Sequence, residues 1–322
     1  MATFVKSSFN TTAYAASRPT YPRHLFDLVF RYHESPPGTR SGEALKSGHR
    51  PRWDRAVDLG CGTGEQQRQA TVELTPFKRI TGVEPSEKMI VQAREYVKES
   101  GITANEVDFH QSSAEELGFI ENDSVDLITA AQSAHWFNWD KMWPEALRVL
   151  RPGGTFAFWI YSEFRLSKHP QLSPLITNYS QGKDPKESIG PYWEQPGRSI
   201  LDNHFLDIKD PEGNGWSPTK RIYFSGKYHS NLPSPLPVIL RKKMTWNELL
   251  GYFRTYSSLH NYHEKFPEDK TNPPPGGSIE VRFWKQLMRE AGVFNEAADV
   301  EKAHEQEVEV EWPVAIVMAK KL

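Results

Sequence analysis

A strand that runs directly into a glycine-rich turn is the feature that most constrains this chain. Residues 56–59 are apolar except for Asp58, and glycine follows at alternate positions, at Gly60, Gly62 and Gly64. Because glycine has no Cβ, it adopts positive φ at low cost and lets a ligand approach the backbone closely. The spacing differs from the Gly-x-Gly-x-x-Gly of dinucleotide-binding turns. A carboxylate ahead of the turn would repel a phosphate, so the pattern favours a cationic or hydroxyl-rich ligand.

Charge and cysteine content narrow the class of protein. With 39 basic and 41 acidic side chains among 322 residues, the net charge is −2, so no general attraction to nucleic acid or anionic membrane is expected. No apolar run reaches the roughly 18–20 residues that span a bilayer, and the N-terminus lacks the apolar core of a signal peptide. Cys61 is the only cysteine, which excludes an internal disulfide and favours a reducing compartment. We therefore expect a cytoplasmic protein, monomeric or homodimeric, with no nucleic-acid or membrane partner.

Strand-like and helix-like segments alternate as far as residue 161, which predicts a parallel α/β sheet with helices on both faces. The predicted strands are 55–60, 79–84, 106–111, 125–130 and 155–160. The predicted helices are 21–33, 65–74, 86–99 and 141–150, and Ser86 is the expected N-cap of the third.

The alternation breaks down in the second half of the chain. Helices are predicted near 171–180, 194–206, 245–260 and 278–291, strands near 219–225 and 307–318, and loops at 35–52 and 267–278. We expect one structural domain made of four segments. They are an N-terminal flap and helix (1–34), a ligand-binding core (53–161), a lid insertion (162–218) and the rest of the sheet with substrate-side helices (219–322).

Four groups of residues fall at the carboxyl ends of consecutive predicted strands, where doubly wound sheets bind ligands. The first is the glycine turn with Asp58. Glu84 ends the second strand and could accept both hydroxyls of a ribose. Ser113 and Ala114 follow the third strand and are small enough for an adenine edge to reach the backbone. The polar and aromatic run 132–137 follows the fourth strand.

The order and spacing of these groups over residues 50–161 resemble class I S-adenosylmethionine (SAM)-dependent methyltransferases. The resemblance implies a Rossmann-like, mostly parallel sheet of seven strands with an antiparallel last strand, and a helical and loop-rich lid inserted in the C-terminal half. It implies SAM as the cofactor and S-adenosylhomocysteine as its product. The implied cofactor-binding residues are Tyr14, Asp58, Gly60, Cys61, Gly62, Gly64, Glu84, Pro85, Met89, Ser113, Ala114 and Gln132.

A narrower resemblance covers nearly the whole chain. Segments 14–22, 134–137, 190–199 and 252–257 are similar to fungal trans-aconitate 3-methyltransferases and their relatives. This likeness implies an O-methyltransferase that forms a methyl ester on a small polycarboxylic acid such as trans-aconitate.

The chemistry of such an acceptor agrees with the residues available. A carboxylate is already ionised near neutral pH, so it needs no general base. It needs a cationic clamp for its other carboxylates, which arginine supplies with a planar fork of donors. The candidate clamp residues are Arg18, Arg198 and Arg254.

Aromatic residues complete the predicted acceptor site. Tyr14, Tyr21 and Trp136 could stabilise the sulfonium charge by cation–π contact. His135 and Trp136 are the catalytic candidates, with His135 either a general base or a structural histidine. The other predicted acceptor-site residues are Trp159, Tyr192 and Trp193.

Other interpretations stay open. The acceptor could be a secondary metabolite or a xenobiotic, or the protein could bind SAM in a regulatory role without catalysis. A nicotinamide oxidoreductase is disfavoured by the glycine spacing. His260, His263 and His304 show no metal-ligand spacing with acidic residues, so no metal site is expected.

Overall fold

The computed structural model describes residues 17–36, 51–63, 76–99, 106–293 and 303–322. Tyr14, Gly64, the predicted helix 65–74 and most of the predicted loop 35–52 lie outside these ranges.

Strands and helices are numbered in chain order. The strands are β1 (Arg55–Leu59), β2 (Arg79–Glu84), β3 (Glu106–Gln111), β4 (Val125–Ala131), β5 (Leu150–Tyr161), β6 (Arg165–Leu166), β7 (Lys220–Phe224), β8 (Leu240–Thr245), β9 (Glu307–Trp312) and β10 (Val314–Lys320). The helices are α1 (Arg23–Glu34), α2 (Glu87–Glu99), α3 (Trp139–Val149), α4 (Ser173–Gln181), α5 (Gly197–Asp202), α6 (Trp246–Phe253), α7 (Ser257–Lys265), α8 (Glu268–Thr271) and α9 (Ile279–Glu290).

Two compact units divide the chain, and each is assembled from separate stretches. The first unit comprises Met1–Pro19, Ser162–Arg198 and Val238–Pro313, and the second comprises Thr20–Tyr161, Ser199–Pro237 and Val314–Leu322. The predicted core, 53–161, lies within the second unit, whereas the predicted lid, 162–218, is shared by both. The four-segment division stays a prediction.

The sheet of the second unit has seven strands in the order β3-β2-β1-β4-β5-β10-β7. Strands β1 to β5 pair in parallel, and β10 is antiparallel to both β5 and β7. The predicted Rossmann-like sheet with an antiparallel last strand is therefore confirmed. Every residue of β4 and β10 is buried, as the near-continuous apolar runs of covered strands predict.

Helices of the second unit pack by their apolar stripes. Helix α3 buries Met142, Trp143, Ala146 and Val149 at helical spacing in the main hydrophobic core. Helix α2 buries Ile90 and Ala93 in a smaller apolar cluster that also contains Cys61 and Phe109. These helices hold the strands whose carboxyl ends carry the predicted site.

The last predicted strand, 307–318, is wrong as a single element. It is broken at Pro313 into β9 and β10, which belong to different sheets. Proline has no N–H to donate to a sheet ladder, so it interrupts the strand. The residues on either side already differ, because glutamate alternates with apolar residues before Pro313 and an apolar run follows it.

The first unit contains a second, three-stranded antiparallel sheet in the order β6-β9-β8. The predicted helix 245–260 is two helices, α6 and α7. Helix α6 begins with a capping box, in which Thr245 Oγ1 accepts from Glu248 N and Glu248 Oε2 accepts from Thr245 N. Within the described ranges, the helices are too short or too polar to span a membrane.

Candidate functional site

The glycine turn is tied to the end of the neighbouring strand. Gly60 N and Cys61 N both donate to the carbonyl of Val83, at 2.7 and 3.1 Å. Gly60 and Gly62 have φ of +69° and +57°, in the left-handed region that favours glycine. A Cβ on Gly60 would lie 2.4 Å from the Cβ of Ser133. Glycine is therefore required at position 60 both by its conformation and by its close packing against the loop after β4.

Glu84 connects the end of β2 to this turn. Its Oε2 accepts a hydrogen bond from Gly62 N and its Oε1 accepts one from Ser86 N, both at 3.1 Å. The side chain is buried, and burial raises the pKa of the carboxyl group despite these two bonds. Since each carboxylate oxygen has more than one lone-pair site, Glu84 can hold the turn and still accept from a ligand hydroxyl.

Asp58 is completely buried beside the turn. Its Oδ1 accepts from the Thr129 hydroxyl at 2.9 Å, and Oδ2 has no hydrogen-bond partner among the described residues. Burial raises the pKa of Asp58 to about 7, and the nearby negative charge of Glu84 adds to this effect. A buried carboxylate oxygen without a donor is costly. The ammonium group of a methionine moiety would satisfy it, so these residues fit SAM.

The loop after β4 is positioned by the side chain of Gln132. Its Nε2 donates to the Tyr161 carbonyl at 3.1 Å, and its Oε1 accepts from Tyr161 N at 2.8 Å. The hydroxyl of the next residue, Ser133, donates to the Leu59 carbonyl at 2.7 Å. These three bonds fix the loop against β1 and β5. The Gln132 amide is thus engaged by backbone, and its predicted contact with the cofactor stays a prediction.

His135 and Trp136 follow in a short 3-10 helix, Ala134–Trp136. His135 is buried, and its ring centroid lies 4.7 Å from that of Trp136. The loop that carries both predicted catalytic residues is therefore held at two preceding positions. Sequence reasoning missed Ser133 and Thr129 as supports of the site, although a polar residue in or after an apolar strand is a usable signal.

The remaining predicted cofactor residues lie on or beside α2 and the loop after β3. Cys61 is fully buried, and burial, followed by the charges of Asp58 and Glu84, holds its pKa well above the usual range. Met89 lies in the first turn of α2, where its N–H donates to Ser86 Oγ at 3.4 Å and confirms the predicted cap. Pro85 joins β2 to α2, and Ser113 and Ala114 lie in the turn after β3, with Ala114 buried.

Two of the predicted acceptor-site residues, Tyr21 and Trp159, pack together in the second unit. Their rings are nearly perpendicular, with centroids 5.8 Å apart, and Phe26 contacts Trp159 at the same distance. Both side chains are buried, Trp159 completely. Contact with a substrate stays a prediction for both.

In the first unit, two of the three predicted clamp arginines are linked to Tyr256, Arg198 through the carboxylate of Glu163 and Arg18 by lying over the tyrosine ring. Arg198 Nη2 donates to Glu163 Oε2 at 3.0 Å, and its guanidinium lies 4.1 Å from the ring centroid of Trp193. The Tyr256 hydroxyl donates to the other oxygen, Glu163 Oε1, at 3.0 Å. Burial, followed by the charge of Glu163, holds the pKa of Tyr256 well above its ordinary value, so this hydroxyl keeps its proton.

Arg18 completes this arrangement. Its guanidinium carbon lies 5.0 Å from the ring centroid of Tyr252 and 5.5 Å from that of Tyr256, and its Nη2 donates to the Thr255 carbonyl at 3.3 Å. We call this set the arginine–aromatic cluster: Arg18, Glu163, Trp193, Arg198, Tyr252 and Tyr256. Sequence reasoning missed Glu163, Tyr252 and Tyr256, although the two tyrosines are spaced to share one side of a helix.

Arg254 and Tyr192 make other contacts in the same unit. Arg254 Nε lies 3.4 Å from Glu280 Oε1. The Tyr192 hydroxyl donates to the Pro185 carbonyl at 3.0 Å, and its ring packs edge-on against Tyr262.

Comparison with known proteins finds methyltransferases, in agreement with a site whose residues fit SAM. Residues 57–158 match the family model described as a methyltransferase domain. CRG1 of Saccharomyces cerevisiae, named as a probable SAM-dependent methyltransferase, is 28% identical over 216 residues, which is 64% of this chain and 67% of CRG1. A Dictyostelium discoideum protein whose name is "Putative methyltransferase" is 28% identical over 246 residues, covering 76% of this chain and 74% of that one. The chain is a SAM-dependent methyltransferase.

A solved structure agrees at the level of the fold. A protein from Anaeromyxobacter dehalogenans, described as a "Putative Type II Methyltransferase", superposes with a TM-score of 0.60 at 23% identity, over 94% of this chain and 97% of that one. In this methyltransferase the cofactor is SAM. The glycine turn, Asp58 and Glu84 are the residues whose geometry fits it.

Proposed function

We propose that this methyltransferase forms a methyl ester on a small polycarboxylic acid such as trans-aconitate. When bound, SAM supplies an electrophilic methyl group, whose bond to sulfur breaks as a carboxylate oxygen of the acid forms the new C–O bond. No proton has to move, because the acceptor oxygen is already ionised. The protein's contribution is to align the acid and exclude water from it.

The observation that carries this proposal is the arginine–aromatic cluster. It contains two guanidinium groups and one carboxylate, so it is net positive, and Arg198 and Glu163 are both buried. Buried cations with fixed orientation recognise carboxylates more strongly than exposed ones. In the proposed function the cluster binds the acceptor acid, and His135 and Trp136 stay the catalytic candidates. Tyr21, Trp159, Tyr192 and Arg254 stay predicted acceptor contacts.

Arg198→Ala should raise the acceptor KM by more than about tenfold and leave SAM affinity unchanged, because one bidentate donor to the acid is lost. Steady-state kinetics with a panel of di- and tricarboxylates, with mass spectrometry of the product, measure this. Arg241→Ala is the matched control, since Arg241 belongs to the same unit and pairs with Glu311. An unchanged acceptor KM in Arg198→Ala would remove Arg198 from the site.

The ion pair between Arg198 and Glu163 favours one second candidate, a neutral acceptor such as a secondary metabolite. Glu163 compensates part of the charge that an acid would need. This candidate predicts turnover of a neutral acceptor and tolerance of arginine substitutions. SAM binding without turnover of any acceptor would instead indicate a regulatory protein.

The raised pKa of Asp58 predicts pH-dependent cofactor binding. Below about pH 7 the free protein holds Asp58 protonated, whereas an ammonium partner requires the ionised form. SAM affinity should therefore rise by about tenfold per pH unit from pH 5.5 to 7 and then level off. Calorimetric titration with SAM at several pH values measures it. In Asp58→Asn the affinity should be weak and flat over this range, and a flat profile in the wild type contradicts the assigned role.

In the ligand-free protein, the raised pKa of Asp58 makes stability fall as pH rises, which is the opposite of its effect on SAM affinity. The folded-state pKa of Asp58, about 7, lies above the unfolded value of 3.8, so its contribution to stability is fully present below pH 3.8. That contribution is lost as pH rises through 7. Thermal unfolding should accordingly show a smaller decrease in Tm between pH 5 and 7 for Asp58→Asn than for the wild type.

A further inference from the structure

Three side chains that act as metal ligands in other proteins converge in the first unit, outside the arginine–aromatic cluster. His263 Nε2, from α7, lies 3.3 Å from Asp269 Oδ2 of α8 and 3.7 Å from Glu280 Oε2 of α9. All three atoms lie within 4.8 Å of one another. Sequence spacing does not reveal this group, because helix packing brings Glu280 to His263 from a distant part of the sequence.

The carboxylate oxygens that face His263 are not the ones held by arginines. Arg282 Nη1 binds Asp269 Oδ1 at 3.0 Å, and Arg254 Nε lies 3.4 Å from Glu280 Oε1. The arginine side chains are 32% and 55% exposed, so solvent screens much of their charge. Carboxylates that bind metals are commonly oriented by such outer partners. Each arginine therefore pairs with one oxygen of its carboxylate, and the other oxygen faces the His263 imidazole.

Two of the three atoms that face one another lack hydrogen-bond partners among the described residues. Glu280 is 4% exposed, and neither its Oε2 nor His263 Nε2 has a hydrogen-bond partner within the described ranges. Asp269 Oδ2 accepts from Ile279 N at 2.8 Å, which leaves further lone-pair capacity on that oxygen. Leaving a buried carboxylate oxygen unsatisfied is costly. A cation at the centre of the three atoms would satisfy all of them.

We propose that His263, Asp269 and Glu280 bind a divalent transition-metal ion of the zinc class. A nitrogen donor beside two carboxylates favours such an ion over Mg²⁺ or Ca²⁺, which prefer all-oxygen sites. Zinc bonds of about 2.1 Å in a tetrahedron give ligand–ligand distances of about 3.4 Å. The distances of 3.3 and 3.7 Å from His263 are close to that value. The ion would link three helices of this unit, independently of the proposed acceptor chemistry.

Zinc titration of the EDTA-treated 322-residue chain tests this proposal. Calorimetry near pH 7.5 should show one high-affinity site per chain, with a Kd of about 1 µM or below, and elemental analysis after dialysis should find one zinc per chain. His263→Gln and Glu280→Gln should each weaken binding at least tenfold, since each removes a ligand. Glu280→Gln is nearly isosteric, and circular dichroism without metal verifies that both variants fold.

His260→Gln is the matched control. His260 lies on the same helix, with Nε2 3.2 Å from Glu264 Oε1, and its substitution should leave zinc affinity unchanged. Three results overturn the proposal: no zinc uptake by the wild type at about 100 µM, equal loss of binding in His260→Gln, or tighter binding of Mg²⁺ than of Zn²⁺.

Discussion

Replacing Gly60 by alanine should lower SAM affinity by about two orders of magnitude or more. The added Cβ would lie 2.4 Å from Ser133 Cβ and 2.8 Å from Ser133 Oγ, at a residue with φ of +69°. Left-handed backbone costs an L-residue about 1–2 kcal/mol, and overpacking of this kind costs about 1–3 kcal/mol more. To remove the clash, either the glycine turn or the loop after β4 must move, and both contain residues predicted to contact the cofactor. Calorimetric titration with SAM measures the loss.

Alanine substitutions at two other glycines of the same unit separate the effect of the clash with Ser133 from the effect of backbone strain. A Cβ on Gly118 meets nothing within 4 Å, so Gly118→Ala should leave SAM affinity unchanged. Gly213 has φ of +85° and equally open surroundings, so Gly213→Ala reports backbone strain alone. In the double variant with Ser133→Gly, part of the affinity lost in Gly60→Ala should return, because the clash is removed. Near wild-type affinity in Gly60→Ala alone would show that the turn does not need glycine there.

The elements that the sequence predicts well are those whose signals are local. The strand before the glycine turn, the strand ending at Glu84 and the cap at Ser86 depend on residues within a few positions of one another. The strand 307–318 failed for the opposite reason. Apolar alternation is the same for any sheet, and the assignment of β9 and β10 to different sheets is decided by tertiary pairing. The local signs of the break are Pro313 and the change there from alternation to an apolar run.

The site shows the same division between local and distant determinants. The glycine turn, Asp58 and Glu84 could be placed from sequence because parallel strands bring their carboxyl ends to one edge. The partners of the clamp arginines could not. Glu163 and Tyr256 are separated by 93 positions, and only the folded unit brings them together around Arg198. The cluster at His263 is another case, since its third member comes from a later helix.

Glu84→Ala should lower SAM affinity about 100-fold. The substitution removes the acceptor for Gly62 N and Ser86 N, and in the predicted role it also removes the acceptor for the ribose hydroxyls. Hydrogen bonds to a charged group contribute about 1.5–3 kcal/mol each, and a 100-fold change corresponds to about 2.7 kcal/mol. Calorimetric titration measures it, with Glu106→Ala as control. Glu106 is an exposed carboxylate that pairs with Arg79 at the edge of the same sheet, and its loss should leave SAM affinity unchanged.

A ligand that lacks one ribose hydroxyl distinguishes direct binding of the ribose by Glu84 from its role in holding the glycine turn. If the carboxylate accepts from the ribose, the 2′-deoxy analogue of S-adenosylhomocysteine should bind the wild type at least tenfold more weakly than the parent ligand. In Glu84→Ala the two ligands should bind almost equally, because the lost hydroxyl no longer has a partner. If the analogue instead loses the same factor in both proteins, the two changes are independent. Glu84 would then act on the cofactor only through the turn that it holds at Gly62.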